Sequence, residues 1–122
     1  MLVDDNKDHL TIFQEGLERY GFSVKGYFSP IKALEEFQPG IYDVAIVDIM
    51  MHAMNGKDLS KNLAHVDNAI NLIFLTPTNE DNNDLNIMTS NHLWIIRKPI
   101  TVKNLFEEVT SILALEQNIP LL

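Results

Sequence analysis

The sequence predicts an α/β fold in which helices cover both faces of a parallel sheet. Three observations carry this. Val44-Ala45-Ile46-Val47 is an unbroken apolar run that ends in Asp48, the mark of a strand buried on both faces. Leu72-Ile73-Phe74-Leu75 repeats the pattern and ends in Thr76. Strand-like and helix-like segments alternate along the whole chain, the arrangement of successive βα units.

Each element has its own signal. Met1-Leu2-Val3 is a brief first strand that runs into Asp4-Asp5. Leu10, Phe13, Leu17 and Tyr20 recur at helical spacing, and Gly21 supplies a left-handed stop. Residues 22–28 alternate apolar and polar up to the last pair, so they predict a half-buried second strand. Ser29-Pro30 is a capping hydroxyl followed by proline at the first helical position; Ile31, Leu34 and Phe37 form the expected stripe, and Pro39-Gly40 stops it. The third strand runs from Tyr42 to Asp48. Asn55-Gly56 reads as a turn, and Leu59, Leu63 and Val66 mark the next helix. The fourth strand, 72–76, is closed by Pro77, which has no N–H for the ladder. Residues 79–91 are crowded with Asn and Asp, which compete with helix by bonding nearby backbone, so only a weak helix is expected there. Residues 93–96 form the fifth strand, before Arg97-Lys98-Pro99. Thr101 caps a last helix with Val102, Leu105, Val109 and Ile112 on its stripe, and 119–122 read as a tail.

The chain has 122 residues, room for one domain over residues 1–122, and 46% of them are hydrophobic, enough for a packed core. Cysteine is absent, which excludes disulfide and thiolate chemistry. No apolar run approaches the ~20 residues that span a bilayer, and the start of the chain is acidic rather than the basic flank of a signal peptide. A cytoplasmic location with no membrane contact is expected. With 17 acids against 9 Lys and Arg, the net charge is −8. Most of this surface repels a phosphate backbone, so no direct nucleic-acid binding is expected.

In a parallel α/β sheet, ligands bind at the rim where the strands end. At that rim stand Asp4 and Asp5 after strand one, Asp48 after strand three, Thr76 after strand four and Lys98 after strand five. Any one of these is an ordinary turn or strand-end residue; their joint placement is not ordinary. Clustered carboxylates disfavour each other's ionised form, a conflict that a bound divalent cation removes. Oxygen donors without cysteine suit Mg²⁺ or a similar hard ion. His9, His52, His65 and His92 show no zinc spacing. A carboxylate nucleophile beside a cation and a lysine is the outline of a phosphoryl-transfer site.

On these residues the chain resembles the receiver domains of bacterial two-component response regulators, over nearly its whole length. Asp4-Asp5 matches the acidic pair. Asp48, with Met51 and then Met54-Asn55-Gly56, matches the phospho-acceptor segment. Thr76 matches the switch hydroxyl and Lys98-Pro99 the Lys-Pro pair. The resemblance implies a flavodoxin-like (βα)5 sheet in the order 2-1-3-4-5. It implies that Asp48 accepts a phosphoryl group from a histidine kinase or phosphotransfer protein, without turnover as an enzyme. It further implies that Asp5, Asp48 and the Met50 carbonyl ligate Mg²⁺ or Mn²⁺, with Asp4 acting through water. Lys98 and Thr76 would bond phosphoryl oxygens, and the Lys98-Pro99 bond would be cis. The switch would be read by a downstream effector domain or protein, and a homodimer through the fourth helix, fifth strand and fifth helix is common in the family.

The sequence also departs from the family. His52 replaces a proline, which predicts a less rigid loop. Pro77 follows Thr76 in place of a small residue. Ile95 stands where an aromatic usually moves with the switch hydroxyl, and Trp94 beside it is expected on the opposite face. Asn91-His92 replaces small residues before strand five. Together these predict retained phosphorylation chemistry with altered Thr-aromatic coupling. A degenerate receiver that only docks partners is the alternative. An aspartyl phosphatase would want a general acid where Met50 stands, and an acidic rim repels a flavin phosphate.

Overall fold

In a computed structural model, described here for residues 1–77 and 92–117, five strands form one parallel sheet in the order 2-1-3-4-5. The strands are β1 (Leu2–Val3), β2 (Gly26–Tyr27), β3 (Val44–Asp48), β4 (Asn71–Pro77) and β5 (Leu93–Lys98). The helices among the described residues are α1 (Lys7–Arg19), α2 (Pro30–Glu36), α3 (Gly56–Val66) and α4 (Val102–Gln117). The expected weak helix at 79–91 and the tail at 119–122 lie outside the described residues.

Alternation along the strands builds two cores. Val3, Ala45, Val47, Leu72 and Phe74 face α2 and α3, where Ala33, Phe37, Leu59 and Leu63 meet them. Leu2, Val44, Ile46, Ile73 and Leu75 face α1 and α4, against Leu10, Leu17, Leu105, Val109 and Ile112. All five residues of β3 are buried, as an unbroken apolar run between two helical layers requires. Helices α1 and α4 approach closely: Tyr20 stacks on Phe106 at 4.2 Å between ring centroids.

The caps follow the sequence. Ser29 Oγ accepts from the Lys32 N–H at 3.2 Å, with Pro30 at the first helical position. Thr101 Oγ1 accepts from the Asn104 N–H at 3.0 Å. Gly21 ends α1 at φ 102°, a conformation that favours glycine.

Several boundaries differ from expectation. The second strand covers Gly26–Tyr27 rather than 22–28, because its partner β1 offers only Leu2 and Val3 for pairing; Phe22 and Val24 still pack on the α1–α4 core. The third strand begins at Val44, and Tyr42 instead stacks near Phe37. On α2 the inward face is Pro30, Ala33 and the capping residue Phe37, which leaves Ile31 45% exposed. Val66, the final residue of α3, is 46% exposed, and Tyr20 lies past the end of α1. The fifth strand runs on through Arg97 and Lys98 because both pair with the end of β4.

Candidate functional site

The ends of β1, β3 and β5 bring Asp4, Asp48 and Lys98 together. Lys98 Nζ donates to Asp48 Oδ2 at 2.9 Å and stands 4.0 Å from Asp4 Oδ2. Asp48 Oδ1 accepts from the Met50 N–H at 3.0 Å. Both carboxylates are buried, Asp4 at 1% and Asp48 at 6% exposure. Burial pushes the Asp4 carboxyl above its ordinary value of 3.8; the Asn6 N–H draws it down, the Asp48 charge pushes it up and Lys98 draws it down again. Asp4 Oδ1 accepts from Asn6, but Asp4 Oδ2 is buried without a hydrogen bond. A buried anionic oxygen in that state is costly unless a cation serves it.

Asp5 is differently engaged. Its Oδ2 accepts from the His52 N–H at 2.9 Å and lies 2.8 Å from His52 Nδ1. Burial pushes Asp5 up, but the hydrogen bonds from the His52 ring and main chain outweigh it and leave the carboxyl below 3.8. His52, the residue that replaces proline, thus meets the acidic pair through both its main chain and its ring.

Apart from the His9 ring, whose Nδ1 is 3.9 Å from Asp4 Oδ2, the groups beside Asp4 and Asp48 that could ligate a cation are oxygens, and Asp4 Oδ2 has no hydrogen bond. The donor set therefore fits a hard divalent cation. Among the described residues no three His, Asp or Glu side chains stand in a ligating arrangement.

The loop after Asp48 is set by α3. The Gly56 N–H donates to the Ile49 carbonyl at 3.0 Å. A Cβ on Gly56 would lie 2.6 Å from both the Asp48 carbonyl oxygen and Ile49 Cα, so only glycine lets the helix approach the strand end. Asn55-Gly56 is accordingly a helix start rather than a free turn: Asn55 Oδ1 accepts from the Asp58 N–H at 2.8 Å. Asn6 caps α1 in the same way, accepting from Asp8 and His9. Both caps carried a legible signal, an Asn with an acid in the following turn.

Thr76 is fully buried at the end of β4, and its hydroxyl donates to the Pro77 carbonyl at 3.3 Å. Pro77 pairs in register with Lys98, and the Lys98-Pro99 bond is cis as expected. On β5, Trp94 and Ile96 pack on the α1–α4 core while Ile95 is 41% exposed, so Trp94 does lie on the face opposite Ile95. Met50 is 56% exposed. His92, just before β5, contacts the buried Asn71 side chain at 3.1 Å.

Comparison with known proteins agrees with this geometry. Residues 1–110 match the response regulator receiver domain family. The response regulator SaeR of Staphylococcus epidermidis is 29% identical over 114 residues, which cover 93% of this chain and 49% of SaeR; the chain thus spans about half the length of that relative. A CheY-like receiver domain protein from Methanospirillum hungatei superposes with a TM-score of 0.81 at 20% identity, covering 95% of this chain and 93% of that one. A receiver domain protein from Clostridium thermocellum gives 0.80 at 22% identity, covering 95% and 94%. These two structures bear on the fold. Among the described residues no helix is long and apolar enough to cross a membrane.

Proposed function

The chain belongs to the response regulator receiver domain family, and from that premise we propose that it is a phospho-acceptor switch centred on Asp48. The observation that carries the proposal is the 2.9 Å contact of Lys98 Nζ with Asp48 Oδ2 beside the buried Asp4. In the proposed reaction an Asp48 carboxylate oxygen attacks the phosphorus of a phosphohistidine on a sensor histidine kinase or phosphotransfer protein. The new O–P bond replaces the P–N bond, and the departing imidazole takes up a proton. The Met50 N–H and Lys98 each occupy one lone pair of the carboxylate, and each oxygen keeps another.

Asp4, Asp5, Asp48 and the Met50 carbonyl are the groups that would hold Mg²⁺ or Mn²⁺, which when bound offsets the charge of the phosphoryl oxygens. Lys98, freed from its partner as Asp48 becomes an acyl phosphate, moves its hydrogen bond to a phosphoryl oxygen. Thr76 offers a hydroxyl to another. New charge with new hydrogen bonds biases a two-state surface, which a downstream effector domain or protein reads. Because Asp48 is itself modified, the chain is consumed once per transfer and is not a turnover enzyme. A cytoplasmic setting without membrane or nucleic-acid contact fits this role.

The test is incubation with acetyl phosphate and Mg²⁺ followed by intact mass. One phosphoryl group on the wild type and none on Asp48→Asn is the expected result. An unmodified wild type that still binds a kinase would favour a docking-only receiver.

A further inference from the structure

His52 lies outside every motif matched above, yet it grips one of the acids. Its main-chain N–H and its ring Nδ1 both meet Asp5 Oδ2, at 2.9 and 2.8 Å. An ionised carboxylate only accepts, so Nδ1 must be the protonated nitrogen. Two donors on one oxygen fill both of its lone-pair directions. The His52 side chain is 99% exposed, so packing does not hold the ring where it is; Asp5 does.

We infer that His52 is a positioning residue, a latch that fastens the β3–α3 loop to Asp5 and competes with the divalent cation for that carboxylate. The inference rests on the proposed role of Asp5 as a cation ligand. With Oδ2 filled, a cation must either displace His52 or take Asp5 through Oδ1 alone. Cation binding and closure of the His52 latch are then linked, and each weakens the other by the same factor.

The latch has two bonds that separate genetically. His52→Ala removes the ring and keeps the N–H; His52→Pro removes both. The experiment is Mg²⁺ titration of the wild type, both variants and Asp48→Asn, followed by amide and imidazole nitrogen shifts. The expected dissociation constant falls about threefold in His52→Ala and about tenfold in His52→Pro, the smaller step reflecting the solvent-exposed ring. In the wild type the His52 amide and Nδ1 signals move with the same midpoint as those around Asp48. Mg²⁺ binding that needs Asp48 but is equally tight in all His52 variants, or weaker in His52→Ala, overturns the latch and leaves the receiver reading standing. A wild type with no Asp48-dependent Mg²⁺ response overturns both. Since His52→Ala alters an exposed side chain, it keeps the test open if the proline variant fails to fold.

Discussion

Lys98→Ala is the perturbation that most directly probes how the rim is held together. Lys98 sits 2.9 Å from Asp48 and 4.0 Å from Asp4. At an effective dielectric near 20, these separations correspond to gross attractions of about 6 and about 4 kcal/mol. Most of that is offset by desolvation of the ammonium, whose side chain is 21% exposed, and by repulsion between the two acids. Breaking a buried pair leaves its partner charged and unserved, so the net loss is about 2–3 kcal/mol after allowance for solvent access. For a domain of this size that is a fall in Tm of roughly 8–12 °C. Asp48→Asn acts differently. Two carboxylates and one ammonium sum to −1; the Asp48 change brings that to zero, and stability should stay within about 1 kcal/mol of wild type. The double variant should then be more stable than Lys98→Ala alone, with a coupling of about 1.5–2 kcal/mol. Urea unfolding without divalent cations, read by Trp94 fluorescence and circular dichroism, measures all four proteins. A Lys98→Ala protein as stable as wild type, or a double variant as unstable as Lys98→Ala, would refute the charge argument.

Other expectations follow from the same geometry. Gly56→Val should destabilise by about 1–3 kcal/mol and slow phosphorylation, because the new Cβ meets main-chain atoms of Asp48 and Ile49 at 2.6 Å; unchanged denaturation and acetyl phosphate kinetics would contradict it. Asp4 is held above its ordinary value chiefly by burial, so its contribution to stability is fully present below that value and is lost as pH rises through the raised one. Asp4→Asn should flatten this slope in pH-dependent unfolding without metal, and a slope kept by the variant would assign it elsewhere. Met50 is apolar and exposed beside Asp48 and cannot orient an attacking water, so the acyl phosphate should decay slowly; Met50→Glu should shorten its lifetime in a mass time course. With Ile95 in place of a ring, a beryllofluoride-type mimic should shift signals near Asp48 strongly and those of β5 weakly, and a large response across β4 and β5 would count against altered coupling.

What the sequence revealed is what a strand-end rule can reveal. Asp4, Asp48, Thr76 and Lys98 each stand at or beside the end of a strand, and parallel strands deliver their ends to one rim whatever the loops do. The layers were legible for the same reason: apolar runs and stripes register burial directly, and Ser29, Thr101 and Gly21 have caps of purely local origin. The misses depend on partners. The length of β2 is fixed by β1, which pairs only at Leu2 and Val3, so alternation through Phe22 and Val24 overstates it. Ile31 and Val66 match a helical period, but the face that turns inward is set by where the sheet lies. Gly56 is glycine because a helix meets a strand end across a turn of the chain, and His52 matters because of a carboxylate 47 positions away. Neither contact has a local signature.

The charge count links the site to its proposed chemistry. Asp4, Asp5 and Asp48 against Lys98 leave the rim at −2 before any transfer. Converting one carboxylate into an acyl phosphate of charge about −2 takes the rim to about −3, inside a chain whose surface is already acidic. Lys98 brings a single positive charge to set against both Asp4 and the phosphoryl group, and His52 is engaged with Asp5. On the proposed reading, a divalent cation is therefore needed to make the product tolerable, and it competes with His52 for Asp5 in doing so. The lysine makes the resting site stable, the cation makes the phosphorylated site stable, and the passage from one to the other runs through the loop that His52 holds.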